Sequence, residues 1–126
     1  GLKSLEDLCL DSYKHSLPKG SFNDLKSLED LCLDKHTKPL LKGIFDGLEN
    51  LEILSLDDYT ASLSDESFDD LEGLESLSLR NYKGFFPKGI FSNLKKLSIL
   101  NLTGCTHLPS ESDLAPLRKR GVWIIT

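Results

Sequence analysis

Carboxylates, thiols and imidazoles are the side chains here that could do chemistry, and the first two recur at a fixed step. Asp11, Asp34 and Asp57 stand 23 residues apart, as do Asp7 and Asp30, Cys9 and Cys32, and Glu6, Glu29, Glu52 and Glu75. A ladder of carboxylates offers oxygen ligands that a hard cation such as Ca2+ would accept. No dedicated calcium loop accompanies it, so neither a metal nor a cofactor is expected. The same ladder presents a basic protein or peptide with a row of opposite charges. Like charges in register repel, a cost unless the row is solvated or neutralised.

The remaining candidates point away from catalysis. His15, His36 and His107 follow the strand segments, on turns of separate repeats. The outer two lie four strand spacings apart, roughly 19 Å. No base, nucleophile and orienting acid converge, and no glycine-rich phosphate loop opens a helix. The chain is expected not to be an enzyme. Cys9 and Cys32 fall on neighbouring strands, whose alpha carbons at about 4.8 Å are within disulfide range. Parallel side-chain vectors leave their beta carbons beyond the usual spacing of about 3.8 Å. Free thiols, or a strained and reducible bridge, both fit that geometry. Cys105 reads as a buried structural thiol.

The element that positions these residues is set by leucine. Leu2, Leu25, Leu48, Leu71, Leu94 and Leu117 form one column with a step of 23 residues. Leu5 to Leu97 form a second, Leu8 to Leu100 a third with Trp123 next in line, and Leu10 to Leu102 a fourth followed by Ile125. Phe22, Phe45, Phe68, Phe91 and Leu114 make a fifth. Such self-similarity means one unit stacked on copies of itself. Within a unit, Leu8 and Leu10 are two apart and share one side of a strand while Cys9 faces the other. Pro18 and Gly20 suit a turn and oppose a long helix on the return. One domain, residues 1–126, is expected, with repeats at 2–24, 25–47, 48–70, 71–93 and 94–116 and a closing strand within 117–126.

The pattern L-x-x-L-x-x-L-x-L followed by L-P-x-x-x-F-x-x-L resembles the leucine-rich-repeat family. Leu17 to Phe22 and Phe86 to Phe91 are similar to the class found in extracellular receptors of the Toll-like and variable lymphocyte types. The resemblance implies an α/β solenoid: a right-handed coil with about six short parallel strands on the concave face and an irregular or short-helical convex side. It also implies a protein-recognition module, as part of a longer receptor or adhesion protein. Where that family places Asn or Cys after the strand, this chain has Tyr13, His36, Tyr59, Tyr82 and Cys105. The segment that follows is one residue shorter than the commonest form. The rings could close the core edge, or form an exposed aromatic column for a partner.

Three outward columns then define the candidate site on the concave strands. Its residues are Asp7, Asp11, Asp30, Asp34, Ile53, Asp57, Ser78, Arg80, Ile99 and Asn101, with Val122 and Ile124 extending an apolar anchor beside Ile99. The expected ligand is a protein or peptide, basic where it meets the first three repeats. A solvated acidic face kept for solubility is the competing reading. Lys95, Lys96, Arg118, Lys119 and Arg120 gather on the C-terminal flank, so head-to-tail self-association is a second role.

Bulk composition narrows the rest. A formal net charge of −5 disfavours nucleic acid, which calls for a basic footprint, and no apolar run approaches the length needed for membrane insertion. The chain contains no methionine, so Gly1 is not expected to be the start of translation. The full motif from Leu2 suggests an array continuing upstream, while the decaying pattern after Leu114 suggests a terminus. Asn101-Leu102-Thr103 is a glycosylation sequon, and with the receptor-like signature it points to an extracellular or cell-surface setting. Unpaired cysteines point to the cytoplasm as the alternative.

Overall fold

The computed structural model describes residues 2–126, and the side chain of Leu2 lies outside the described part. A short 3-10 turn (Leu2–Ser4) leads into β1 (Asp7–Cys9), followed by β2 (Asp30–Cys32), β3 (Ile53–Ser55), β4 (Ser76–Ser78) and β5 (Ile99–Asn101). A helix, α1 (Glu111–Lys119), precedes the last strand, β6 (Trp123–Ile125). All six strands form one sheet in sequence order, and every neighbouring pair is parallel. Each repeat is one turn of a right-handed coil, as parallel strands joined by crossovers require. The strands line its concave face.

The leucine columns fill the interior. Leu31, Leu54, Leu77 and Leu100 sit mid-strand at 1% exposure or less. Leu33, Leu56, Leu79 and Leu102 follow directly behind them, equally buried. Phe22, Phe45, Phe68, Phe91 and Leu114 close the core from the return segments, with the Phe22 and Phe45 rings stacked at 6.3 Å. The returns are chains of tight turns. Ile44 N–H to Leu41, Asp46 N–H to Gly43 and Leu48 N–H to Phe45 satisfy backbone groups locally, where no strand partner exists.

Just after each of the first four strands the chain turns through a left-handed residue: Ser12, Lys35, Asp58 and Asn81 have φ between 58° and 65°. Glycine fills the fifth such position, Gly104 at φ 77°. A beta carbon there would meet Asn81 Oδ1, so a larger residue would have to push that side chain aside as well as adopt the left-handed backbone.

The final turn departs from the 23-residue step. The register pairs Leu100 with Ile124 and Ile99 with Trp123, a step of 24. Arg120 closes α1 and donates its backbone N–H to Leu117 and Pro116, and Gly121 turns the chain at φ 85°. This compact helical return adds one residue before β6. Trp123 therefore faces outward at 64% exposure, whereas Val122 is buried at 6% and Ile124 packs against the core. The expected orientation of Val122, Trp123 and Ile124 is inverted, since a one-residue shift exchanges the faces of a strand.

Candidate functional site

The sheet register assembles two outward rows within the strands. The first reads Asp7, Asp30, Ile53, Ser76, Ile99 and Trp123, and the second Cys9, Cys32, Ser55, Ser78, Asn101 and Ile125. A third, at the strand exits, reads Asp11, Asp34, Asp57, Arg80 and Thr103. The apolar residues that continue these rows are thus Trp123 beside Ile99 and Ile125 beside Asn101, not Val122 and Ile124. Ile53 is 44% exposed in mid-row, so the first row runs from two carboxylates to an indole.

The third row is not an idle ladder of charges. Asp34 Oδ1 accepts the Ser55 hydroxyl at 2.5 Å and the Asp57 N–H at 2.8 Å. One repeat later Asp57 Oδ1 accepts the Ser78 hydroxyl at 2.5 Å and the Arg80 N–H at 3.0 Å. Each carboxylate therefore continues the parallel ladder past the strand end, by taking an N–H that would otherwise face solvent. These are charge-assisted bonds, roughly twice as strong as neutral ones, and they offset the repulsion between the aspartates. Asn101 turns inward on its own strand instead, its Oδ1 accepting from Thr103 N at 3.0 Å and Thr103 Oγ1 at 2.6 Å. The pairing of Ser55 with Asp34 and Ser78 with Asp57 spans two columns, which a reading along single columns does not reveal.

In the first row, Asp7 and Asp30 meet through their carboxyls. Burial holds the Asp30 carboxyl above its ordinary value, and the hydrogen bond its protonated form donates to Asp7, with the charges of Asp7 and Glu29, adds to this. Beside them Cys9 and Cys32 are free thiols, as is Cys105 in the fifth repeat. Burial pushes the Cys32 thiol up to about 12, opposed by the Asp34 backbone N–H and reinforced by contact with Cys9 and the Asp34 carboxylate. A hollow of about 450 Å3 lies over these residues, walled by Asp7, Cys9, Asp30, Cys32 and Ile53.

The column after the strands is core, not an aromatic display. Tyr59 and Tyr82 are 2% exposed and His36 is fully buried, while Tyr13 in the first repeat is 37% exposed. The rings stack along the coil, His36 on Tyr59 at 6.2 Å and Tyr59 on Tyr82 at 6.1 Å. Cys105 donates its thiol to the Leu79 carbonyl at 3.1 Å and is partly buried. The histidines are apart: His15 lies edge-on to Tyr13 and His107 stacks on Phe85.

Two charged regions lie off the strand face. On the basic flank Arg118 pairs with Glu111 at 2.7 Å, and Arg120 Nη2 donates to the Leu94 carbonyl at 3.0 Å. Lys95, Lys96 and Lys119 stay exposed. On the return side a cleft of about 660 Å3 is walled by acidic residues of three repeats, among them Asp24, Asp46, Asp70 and Glu72, with Lys26. Nothing in the sequence singled it out, because its residues sit at turn positions that any soluble repeat fills with charge. Among the described residues no group of three or more His, Cys, Asp or Glu side chains is arranged to hold a metal ion.

No protein-family model matches the sequence, and no curated protein matches it. Solved structures do. In the Toll–Spatzle complex of Drosophila, one chain is similar over 80% of this chain at 25% identity and TM-score 0.72. A leucine-rich-repeat protein of Leptospira interrogans is similar over 88% at 26% identity and TM-score 0.67. A chain of the TLR13–ssRNA13 complex is similar over 81% at 22% identity and TM-score 0.56, a likeness of fold alone. This chain spans 14%, 28% and 18% of those three chains respectively. With a 23-residue step, six parallel strands in sequence order and these neighbours, the chain is a leucine-rich-repeat solenoid.

Proposed function

We propose that this chain is a protein-recognition module whose strand face docks a protein or peptide ligand. The observation that carries the reading is the polarity of the first outward row. Asp7 and Asp30 at one end would meet basic groups, and Ile53, Ile99 and the exposed indole of Trp123 would take an apolar segment at the other. Trp is the residue type most often found at the energetic centre of an interface, and an indole left open on a sheet face has the area to act as an anchor. The Toll neighbour was solved with Spatzle, a precedent for protein binding on this architecture. The expectation against nucleic acid rests on the net charge and the acidic first rows; the neighbour solved with RNA has the same fold.

The reading is of a non-catalytic module, supported by the dispersed histidines and the structural use of Asp34 and Asp57. An extracellular or cell-surface setting, within a longer receptor or adhesion protein, remains the preferred reading, with the cytoplasm as its rival. Among the described residues no helix is long and apolar enough to cross a membrane. The test is a pulldown from an extracellular protein preparation with three baits: the native chain, Asp7→Lys with Asp30→Lys, and Trp123→Ala. A ligand held by the native bait and lost from both variants supports the proposal. An identical captured set from all three overturns it.

End-to-end assembly is the second reading. It draws on Trp123 at the last strand and on Leu5, Leu8 and Leu10 of the first repeat, which are only partly buried. Light scattering against concentration separates the two: mass that stays constant to millimolar levels excludes assembly.

A further inference from the structure

The paired thiols of β1 and β2 have no part in that docking role. Cys9 and Cys32 are direct partners in the parallel register, and both thiols are free. Both open onto the hollow between the first two strands. Later repeats show what this position ordinarily does: Ser55 and Ser78 donate hydroxyls to the aspartate of the preceding repeat. Sulfur is a poor donor. Cys32 instead lies against the carboxylate and backbone N–H of its own Asp34. Cys32 thus stands in the row position from which Ser55 and Ser78 make that bond.

Geometry decides what two such thiols can bind. In-register parallel strands send side chains out side by side, so sulfur spacing follows the strand spacing of about 4.8 Å. A disulfide needs beta carbons at about 3.8 Å. A soft ion bonds thiolate sulfur at roughly 2.3 Å, so a straight S–ion–S unit spans roughly 4.6 Å. The strand spacing suits the second product, and rotation about χ1 of the exposed Cys9 covers the remaining difference. Two-coordinate binding also needs no third ligand.

We infer that Cys9 and Cys32 form a two-coordinate site for a soft, thiophilic monovalent ion of the Cu(I) class. Binding releases two protons as the ion replaces both S–H hydrogens, with no change of oxidation state. Burial and the Asp34 carboxylate oppose the Cys32 thiolate, whereas the Asp34 N–H favours it as an outer-shell donor. Asp7, Asp30 and Asp34 concentrate cations at the face. Hard ions are disfavoured, because they require several oxygen ligands converging on one point.

The experiment is an anaerobic titration of the reduced chain with Cu(I), buffered by a competing chromophoric Cu(I) chelator. Expected are one ion per chain, near-ultraviolet thiolate-to-metal absorption, and an unchanged solution mass. Cys9→Ser and Cys32→Ser should each weaken binding by about 100-fold or more, since each removes one of two soft ligands. Cys105→Ser should leave it unchanged. The serine variants suit the fold, because Ser55 and Ser78 already occupy this row, and a thermal melt checks that they do. Uptake that survives Cys9→Ser or Cys32→Ser overturns the site. So does one ion per two chains with a doubled mass, which would mean bridging between molecules.

Discussion

The hydroxyl of Tyr59 accepts the backbone N–H of Leu40, nineteen residues earlier, at 3.1 Å. Tyr82 repeats the bond with Leu63, also at 3.1 Å. Tyr59 further reaches the carbonyls of Lys38 at 3.0 Å and Ser62 at 3.3 Å. The phenol thus crosses the whole turn and satisfies the buried loop of the preceding repeat. A shorter side chain at this position could serve only nearby backbone. Burial pushes the Tyr59 hydroxyl up to about 12, which keeps it a neutral donor and acceptor. Tyr59→Phe should therefore cost about 1–3 kcal/mol, the range for leaving a buried polar group without its partner. Urea melts measure this; a cost near zero would mean that the Leu40 N–H finds water instead.

His36 occupies the same column one repeat earlier and cannot reach as far. Its Nδ1 lies 3.3 Å from the Tyr13 carbonyl, while its Nε2 is buried with no partner among the described residues. Counting nineteen residues back gives Leu17, the residue equivalent to Leu40 and Leu63. His36→Tyr should put a hydroxyl where the later repeats have one and remove an unpaired buried nitrogen. We expect a gain of about 1–2 kcal/mol, read as a higher urea midpoint with unchanged slope. A loss would show that the second repeat is too narrow for the phenol.

Asp57 separates charge from hydrogen bonding. Asp57→Ala removes the acceptor for both Ser78 Oγ and Arg80 N–H and should cost about 1–3 kcal/mol. Asp57→Asn keeps an acceptor oxygen and relieves repulsion along the row, so its cost should be far smaller. Equal costs for the two variants would mean that the charge, not the bond, is what the fold uses.

These cases mark where sequence reading ended. The columns of Leu and Phe were legible because a fixed step and a two-residue strand period leave one way to bury them. Phe68, fully buried, and Phe85, 73% exposed and stacked on His107 at 4.0 Å, fall where the repeat places them. The Tyr column declared its spacing but not its partners, which sit in another repeat. Trp123 was misplaced because the helical return adds a residue just before β6, and the leucine pattern that would have shown this ends at Leu117.

The two phenylalanines give a direct check of the register. Phe68→Ala should cost about 3–5 kcal/mol, the range for truncating a buried Phe. Phe85→Ala should cost well under about 1 kcal/mol, as exposed positions usually do. Chemical denaturation of both variants ranks them, and the reverse order would displace the return segments.

Asp70 supplies the pH dependence. It stands in the acidic cleft, where partial burial raises its carboxyl above the ordinary value and the charges of Asp46 and Asp69 raise it further, against Lys42 and Lys19. A folded-state value above the unfolded one means the folded chain holds its proton more tightly. Stability is therefore lost as pH rises through the carboxylate range and fully recovered below the unfolded value. Asp70→Asn should stabilise the chain at pH 7, by less than about 1 kcal/mol because the site is open to solvent. The gain should shrink towards zero as pH falls below about 4. Salt should narrow it as well, since the opposing charges are near the surface. Melting curves of the native chain and Asp70→Asn at pH 7 and pH 3.5 read the difference directly. A gain that persists unchanged at pH 3.5 would mean that the substitution acts through packing and not through the crowding of Asp46, Asp69 and Asp70.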